Sequence, residues 1–272
     1  MSMGRMLSSV LLSVVVVVQV GCQSPPASDG HPGQARLVWM FPGVGGGRWS
    51  LEGAHRAFVD AGVQADYRFH KWHGPPLDVL GHLTHYEANR AQAVEVAGQI
   101  VAYRKQHATA RIDLVGYSGG GGIAVLVAEE LPEDIGLRNV LLVQPALSPS
   151  YDLTRALRRV DGRLVNFYSP YDWLILGWGT QTFGTIDRCD TAAAGKVGFD
   201  LDVAAARGDL RRKVFQQGWT TEMFWSGHAG NHTAILLYAW NKRYVAPWLG
   251  DDAPVDTHAA TDDTAAAGVS RE

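Results

Sequence analysis

Between residues 35 and 249, short apolar runs of strand length alternate with longer segments whose apolar positions recur at helical spacing. Arg36 to Phe41 reads as a strand closed by Pro42-Gly43, and Ser50 to Ala61 as a helix with Ser50 as its N-cap and Gly62 at its end. Asp66 to Trp72 predicts a second strand. Ala88 to His107 predicts a long amphipathic helix carrying Ala91, Val94, Ala97, Ile100 and Val101 on its apolar side. Ile112 to Gly116 is a third strand, followed by a glycine-rich turn and a helix over Ile123 to Leu131. Leu137 to Gln144, Leu164 to Tyr168 and Thr221 to Trp225 predict the fourth, fifth and sixth strands, with a last helix over Ala234 to Tyr244. Strands this continuously apolar are buried on both faces. Strand–helix alternation then predicts an α/β fold: a mostly parallel central sheet with right-handed crossovers, helices on both faces and no large cap domain.

The two ends differ from this body. After Arg5, Leu7 to Val20 form an apolar stretch of about 14 residues, shorter than the roughly 20 needed to span a bilayer and suited to a secretory signal. It ends in Val20-Gly21-Cys22-Gln23-Ser24, which resembles a bacterial lipoprotein signal, in which the cysteine is lipidated and becomes the new N-terminus. That resemblance implies a signal peptide over 1–21 and an acyl anchor at Cys22, held on the cell envelope without spanning a membrane. Residues 22–34, rich in Pro, Gly and Ser, read as a flexible tether, and 250–272, poor in large apolar residues, as a disordered tail. One domain over 35–249 remains.

Composition narrows the classes of function. The chain has 272 residues, 46% hydrophobic and 19% charged, with 24 Lys+Arg against 27 Asp+Glu, so no electrostatic footprint for nucleic acid exists. With Cys22 assigned to lipid, Cys189 lacks a disulfide partner and sits in no reactive motif.

The chemistry centres on Gly116-Tyr117-Ser118-Gly119-Gly120, a G-x-S-x-G sequence standing between a predicted strand and a predicted helix. So sharp a turn leaves no room for side chains two residues before and after the serine. Glycine fills both places, and Ser118 stands at a helix N-terminus, where the dipole favours developing negative charge. Here the chain resembles the α/β-hydrolase family. Gly119 to Ala124 also fits a G-x-G-x-x-A nucleotide loop, but it follows the third strand and the next strand ends in Gln144 rather than an acid. No phosphate-binding P-loop sequence is present.

In the family the triad runs Ser, acid, His along the chain. Asp172, four residues beyond the fifth strand, is the expected acid, with Asp152 as the alternative and Asp187 and Asp190 more remote. Two histidines compete for the base. His232 is favoured because Gly230-Asn231 before it permits a loop turn ahead of the last helix, while His228 follows Gly227 in the family's Gly-His manner. Their four-residue spacing suits a zinc pair only on a helix, which Gly230 and Asn231 disfavour, so neither metal nor other cofactor is expected. His82 and His85 read as solvated or hydrogen-bonded loop residues, His55 and His107 as helix residues, and His70 and His73, flanking Trp72 at a strand end, leave a substrate-facing role open without pointing to one.

The resemblance further implies an oxyanion hole from the Gly119 N–H and a second donor, Gly43 or Val44, in the loop Phe41 to Arg48. The expected activity is that of a serine hydrolase on an ester or related acyl bond of a small-molecule or lipid substrate, with Trp173 and Trp178 as candidates for an apolar acyl pocket. A non-catalytic scaffold and an acyltransferase are the alternatives.

Overall fold

The computed structural model describes residues 35–72, 85–172, 185–187, 189 and 192–251. The expected signal segment, Cys22, the tether, His73, His82, Trp173, Trp178, Asp190 and residues 252–272 lie outside them.

Strands β1 (Arg36–Phe41), β2 (Asp66–Phe69), β3 (Arg111–Tyr117), β4 (Leu137–Val143), β5 (Val160–Tyr168) and β6 (Val214–Gly218) form one sheet in the order β2-β1-β3-β4-β5-β6. Every pairing is parallel. The side chains of β1 divide by parity, as a two-sided strand must. Leu37, Trp39 and Phe41 join a core with helices α2 (Tyr86–Gln106) and α3 (Gly119–Glu130). Val38 and Met40 join a second core with α1 (Arg48–Asp60) and the C-terminal residues Trp240 and Trp248. Helices therefore cover both faces, and the chain has the α/β fold read from its sequence, a parallel central sheet between two helical layers.

From β1 the chain first turns outward to β2 and then back across β1 to β3. The sheet's switch point lies between the carboxyl ends of β1 and β3, where the crossovers part and leave a crevice. Ser118 follows β3 and the Pro42–Gly47 loop follows β1, so topology alone brings these two segments together.

Three elements differ from expectation. Thr221–Ser226 is not the sixth strand but a 3₁₀ helix. Its apolar residues do not share a face: Met223 is buried while Phe224 and Trp225 are exposed, and Ser226 Oγ bonds the Met223 carbonyl. The sixth strand is Val214–Gly218, whose two glutamines disguise it because it lies at the edge. Gln216 is fully used there: Oε1 accepts from the Phe199 N–H and from Asn166 Nδ2, and Nε2 donates to the Phe199 carbonyl.

The expected helix over Ala234 to Tyr244 is broken into a 3₁₀ turn (Ala234–Leu236), one short turn (Tyr238–Trp240) and a π segment (Asn241–Val245). Asn241, fully buried, donates to the carbonyls of Ala234, Ile235 and Leu237 and replaces the missing helical bonds. Helix α1 begins at Arg48, with Ser50 inside the first turn donating to the Gly47 carbonyl rather than capping. Asp251 pairs with both Arg36 and Arg111 at the amino ends of β1 and β3.

Candidate active site

Ser118 occupies a backbone conformation with φ 54° and ψ −124°, rare for a residue with a side chain. Sterics on both sides hold it there. A Cβ on Gly116 would stand 2.5 Å from the Gly120 carbonyl oxygen, and one on Gly120 would stand 2.4 Å from the carbonyl oxygens of Phe41 and Pro42. The second contact shows a need the motif does not reveal: Gly120 lets α3 press against the loop leaving β1. The Ser118 N–H donates to the Val143 carbonyl, and the Ser118 carbonyl accepts from Gly121 and Ala146. The strained residue is thus bolted to β4 and to its own helix.

The loop after β1 lies directly on this turn. A Cβ on Gly43 would meet Ser118 Cβ at 3.2 Å and the Tyr117 ring at 3.0 Å. The loop is closed by a Gly46 N–H bond to the Gly43 carbonyl and by Gly45 at φ +70°. Trp72, buried, donates from Nε1 to the Pro42 carbonyl at 2.8 Å, and its ring and the Val44 side chain crowd Gly119. Sequence reading assigned Trp72 no part; it braces the segment that presents the Gly43 and Val44 N–H groups. Among the described residues neither these nor the Gly119 N–H has a hydrogen-bond acceptor.

Asp172 terminates a turn after β5, its N–H bonded to the Ser169 carbonyl, and its carboxylate is buried. Asp172 Oδ2 lies 2.6 Å from His232 Nδ1, a distance typical of a strong charge-assisted hydrogen bond. The base segment rests against the acid's loop at Gly230, whose φ of +88° and bare Cα allow an approach to Tyr171 and Ser169. The His232 imidazole faces the ring of Tyr117, the residue before the serine, at 5.0 Å between centroids. Tyr117 also donates its hydroxyl to the His232 carbonyl.

His228 is placed otherwise. Buried beside the Trp240 ring at 5.2 Å, its Nδ1 accepts the Gly230 N–H and its carbonyl accepts from Trp219 Nε1. Burial without a charged partner pushes its pKa down to about 4. Of the two histidines, His232 is the one aligned with a carboxylate.

The other acids have structural partners. Asp152 is an exposed turn residue accepting the Thr154 N–H. Asp187 accepts from the Ser148 N–H and hydroxyl, pinning the returning segment beside Ile186, whose side chain covers Gly122. Among the other described histidines, His55 packs on Tyr67 and Phe69, His70 bonds Gln92 and His107 stacks on Tyr103.

Sequence reading also missed Gln144, the residue after β4. It is buried, with φ +49°, and its amide nitrogen reaches Asp172 Oδ2 at 2.8 Å and the Asn231 carbonyl at 2.9 Å. Its sequence signal was faint: a polar residue closing an otherwise apolar strand.

No family model matches the chain, and no curated protein matches it. Among solved structures, it is similar to a predicted CIB-like hydrolase from Thermoplasma acidophilum (13% identity, 81% of this chain and 88% of that one, TM-score 0.45). It is likewise similar to Aspergillus fumigatus lipase B (13% identity, 79% and 53%, TM-score 0.47) and to a dienelactone hydrolase from Anabaena variabilis (15% identity, 77% and 85%, TM-score 0.40).

Proposed function

We propose that the chain is a serine hydrolase that cleaves an ester or related acyl bond through Ser118, His232 and Asp172, tethered to the cell envelope by lipid on Cys22. The observation that carries this reading is the 2.6 Å contact between His232 Nδ1 and buried Asp172, beside a serine held at φ 54°. With Nδ1–H donated to the carboxylate, Nε2 is the free base. It takes the Ser118 proton as Oγ attacks the acyl carbonyl, and Asp172 stabilises the imidazolium that results. The N–H groups of Gly119 and Gly43 receive the oxyanion, one such donor being worth about 3–4 kcal/mol. His232 then protonates the leaving group, and water, activated by the same base, hydrolyses the acyl-enzyme. Placement of the envelope anchor rests on the Val20–Ser24 sequence; no helix among the described residues is long and apolar enough to cross a membrane.

The test is intact mass of the full chain in detergent after a fluorophosphonate probe. One adduct per chain is expected, absent from Ser118→Ala. Folded protein that takes no adduct would overturn the reading and leave the fold as a binding scaffold. A diacylglyceryl mass on Cys22 after expression in a bacterium is the expected sign of the anchor.

A further inference from the structure

We infer that Gln144 is a positioning residue for the triad, a clip that sets the direction of the Asp172 carboxylate and the seat of His232; the inference rests on the triad reading above. Three contacts carry it. Gln144 Nε2 donates to Asp172 Oδ2, the same oxygen that His232 Nδ1 reaches, and also to the Asn231 carbonyl, one residue before the base. Its Oε1 accepts the Ala234 N–H at 3.4 Å, two residues after the base. One side chain thereby ties β4 to the acid's turn and to both flanks of the base.

The Asp172 carboxylate depends on this clip. Oδ1 is buried and has no hydrogen-bond partner among the described residues, so both donors fall on Oδ2. With Oδ2 held only by His232, nothing among the described contacts would fix rotation about the Cβ–Cγ bond against the imidazole. The backbone of Gln144 supports the same interpretation. A glutamine at φ +49° is strained, and Asn or Gly would adopt this conformation more readily. A glutamine retained in a left-handed turn is explained by what its longer side chain reaches. Its seat is also tight: a Cβ on Gly195 would stand 2.3 Å from the Gln144 carbonyl carbon.

Among the described residues Gln144 touches one titratable group directly, Asp172, and through it His232; from β3 the Tyr117 phenol, which burial keeps neutral, interacts with the same carboxylate. A charge introduced at 144 would therefore act on the Asp172–His232 pair.

The experiment measures the rate of fluorophosphonate labelling of Ser118 against pH in full-length wild type, Gln144→Asn and Gln144→Glu, with melting temperature recorded for each. Asparagine suits the left-handed backbone but is one methylene too short for the clip. Its protein should fold but melt below wild type, because the Asn231 carbonyl and the Ala234 N–H each lose a buried hydrogen bond, while labelling falls on the order of 10²-fold, the cost of a misplaced catalytic group. Glutamate keeps the length and brings a second carboxylate against Asp172. The triad then retains its extra proton to higher pH, and the acid limb of the profile should rise by about one unit or more.

A purely structural glutamine would lower melting temperature without moving the acid limb. Wild-type labelling rates in folded Gln144→Asn would overturn the inference, as would a Gln144→Glu profile superimposable on wild type. Should Gln144→Glu fail to fold, Gln144→Asn decides alone. Wild type that takes no label at Ser118 would instead sink the triad reading on which this one stands.

Discussion

Ser118 and His232, the proposed nucleophile and base, are held in opposite ways. Around Ser118 the constraint is local and steric: glycines at 116 and 120 admit only one close path, and the strained serine is locked by main-chain bonds to β4 and α3. Around His232 the backbone is irregular, assembled from 3₁₀ and π pieces, and the constraints are side chains, two of them from far along the chain. Tyr117, Gln144, Trp219 and Asn241 each bond a carbonyl of this segment. A turn built from its own sterics tolerates few substitutions yet can be recognised in sequence. A segment built by borrowed hydrogen bonds leaves almost no local trace, and each donor can be removed singly.

The largest effects should separate the two histidines within the borrowed segment. Asp172→Asn is expected to slow fluorophosphonate labelling about 10³–10⁴-fold by reversing the favoured tautomer of His232, and His232→Ala at least as much. His228→Asn should label near the wild-type rate, since His228 faces Trp240 and no carboxylate. Equal losses in the two histidine variants would erase the distinction drawn from the geometry.

Next come substitutions that weigh steric against borrowed constraint by stability. Gly120→Ala places a methyl 2.4 Å from two main-chain carbonyl oxygens that cannot yield, at a cost of about 3 kcal/mol or more in urea denaturation. Asn241→Ala removes a buried side-chain donor shared by three carbonyls, of which those of Ala234 and Leu237 keep main-chain donors, and should cost about 1–2 kcal/mol. A Gly120→Ala protein as stable as wild type would refute the steric account of the elbow.

A pH titration sharpens the contrast further. His228 has a folded pKa near 4 against an ordinary 6.5, so the unfolded chain binds its proton first as pH falls. Its contribution is complete above about pH 6.5 and is lost progressively down to about pH 4, amounting to about 3 kcal/mol. His228→Asn should flatten that part of the stability–pH curve; an unchanged slope would mean His228 is solvated. The smallest effect is expected at Cys189, whose Sγ contacts the Asp187 carbonyl and takes no part in the site: Cys189→Ala should label at the wild-type rate.

The same contrast explains what was legible beforehand. The parallel sheet, its apolar strands and the elbow follow from patterns a few residues long, and Ser118 stands out because glycine on both sides has a single steric meaning. Val214–Gly218 has no strand signature because an edge strand need not be apolar on both faces, and Gln216 pairs with Asn166 and Phe199, distant in sequence. Thr221–Ser226 reads as a strand in sequence because its composition suits one. Its burial pattern, set by what packs against it, is that of a 3₁₀ turn.

The amino-acid sequence by itself thus determined the layering, the order of the main elements and the sharp turn that carries Ser118, because sterics and hydrophobic period act between near neighbours. It also placed Asp172 and both histidines as candidates. Only the tertiary structure decided which histidine meets the carboxylate and that Gln144, Trp72 and Tyr117 brace the site. Their partners lie between about 30 and 115 residues away along the chain, and hydrogen bonds over such separations have no period or motif to announce them.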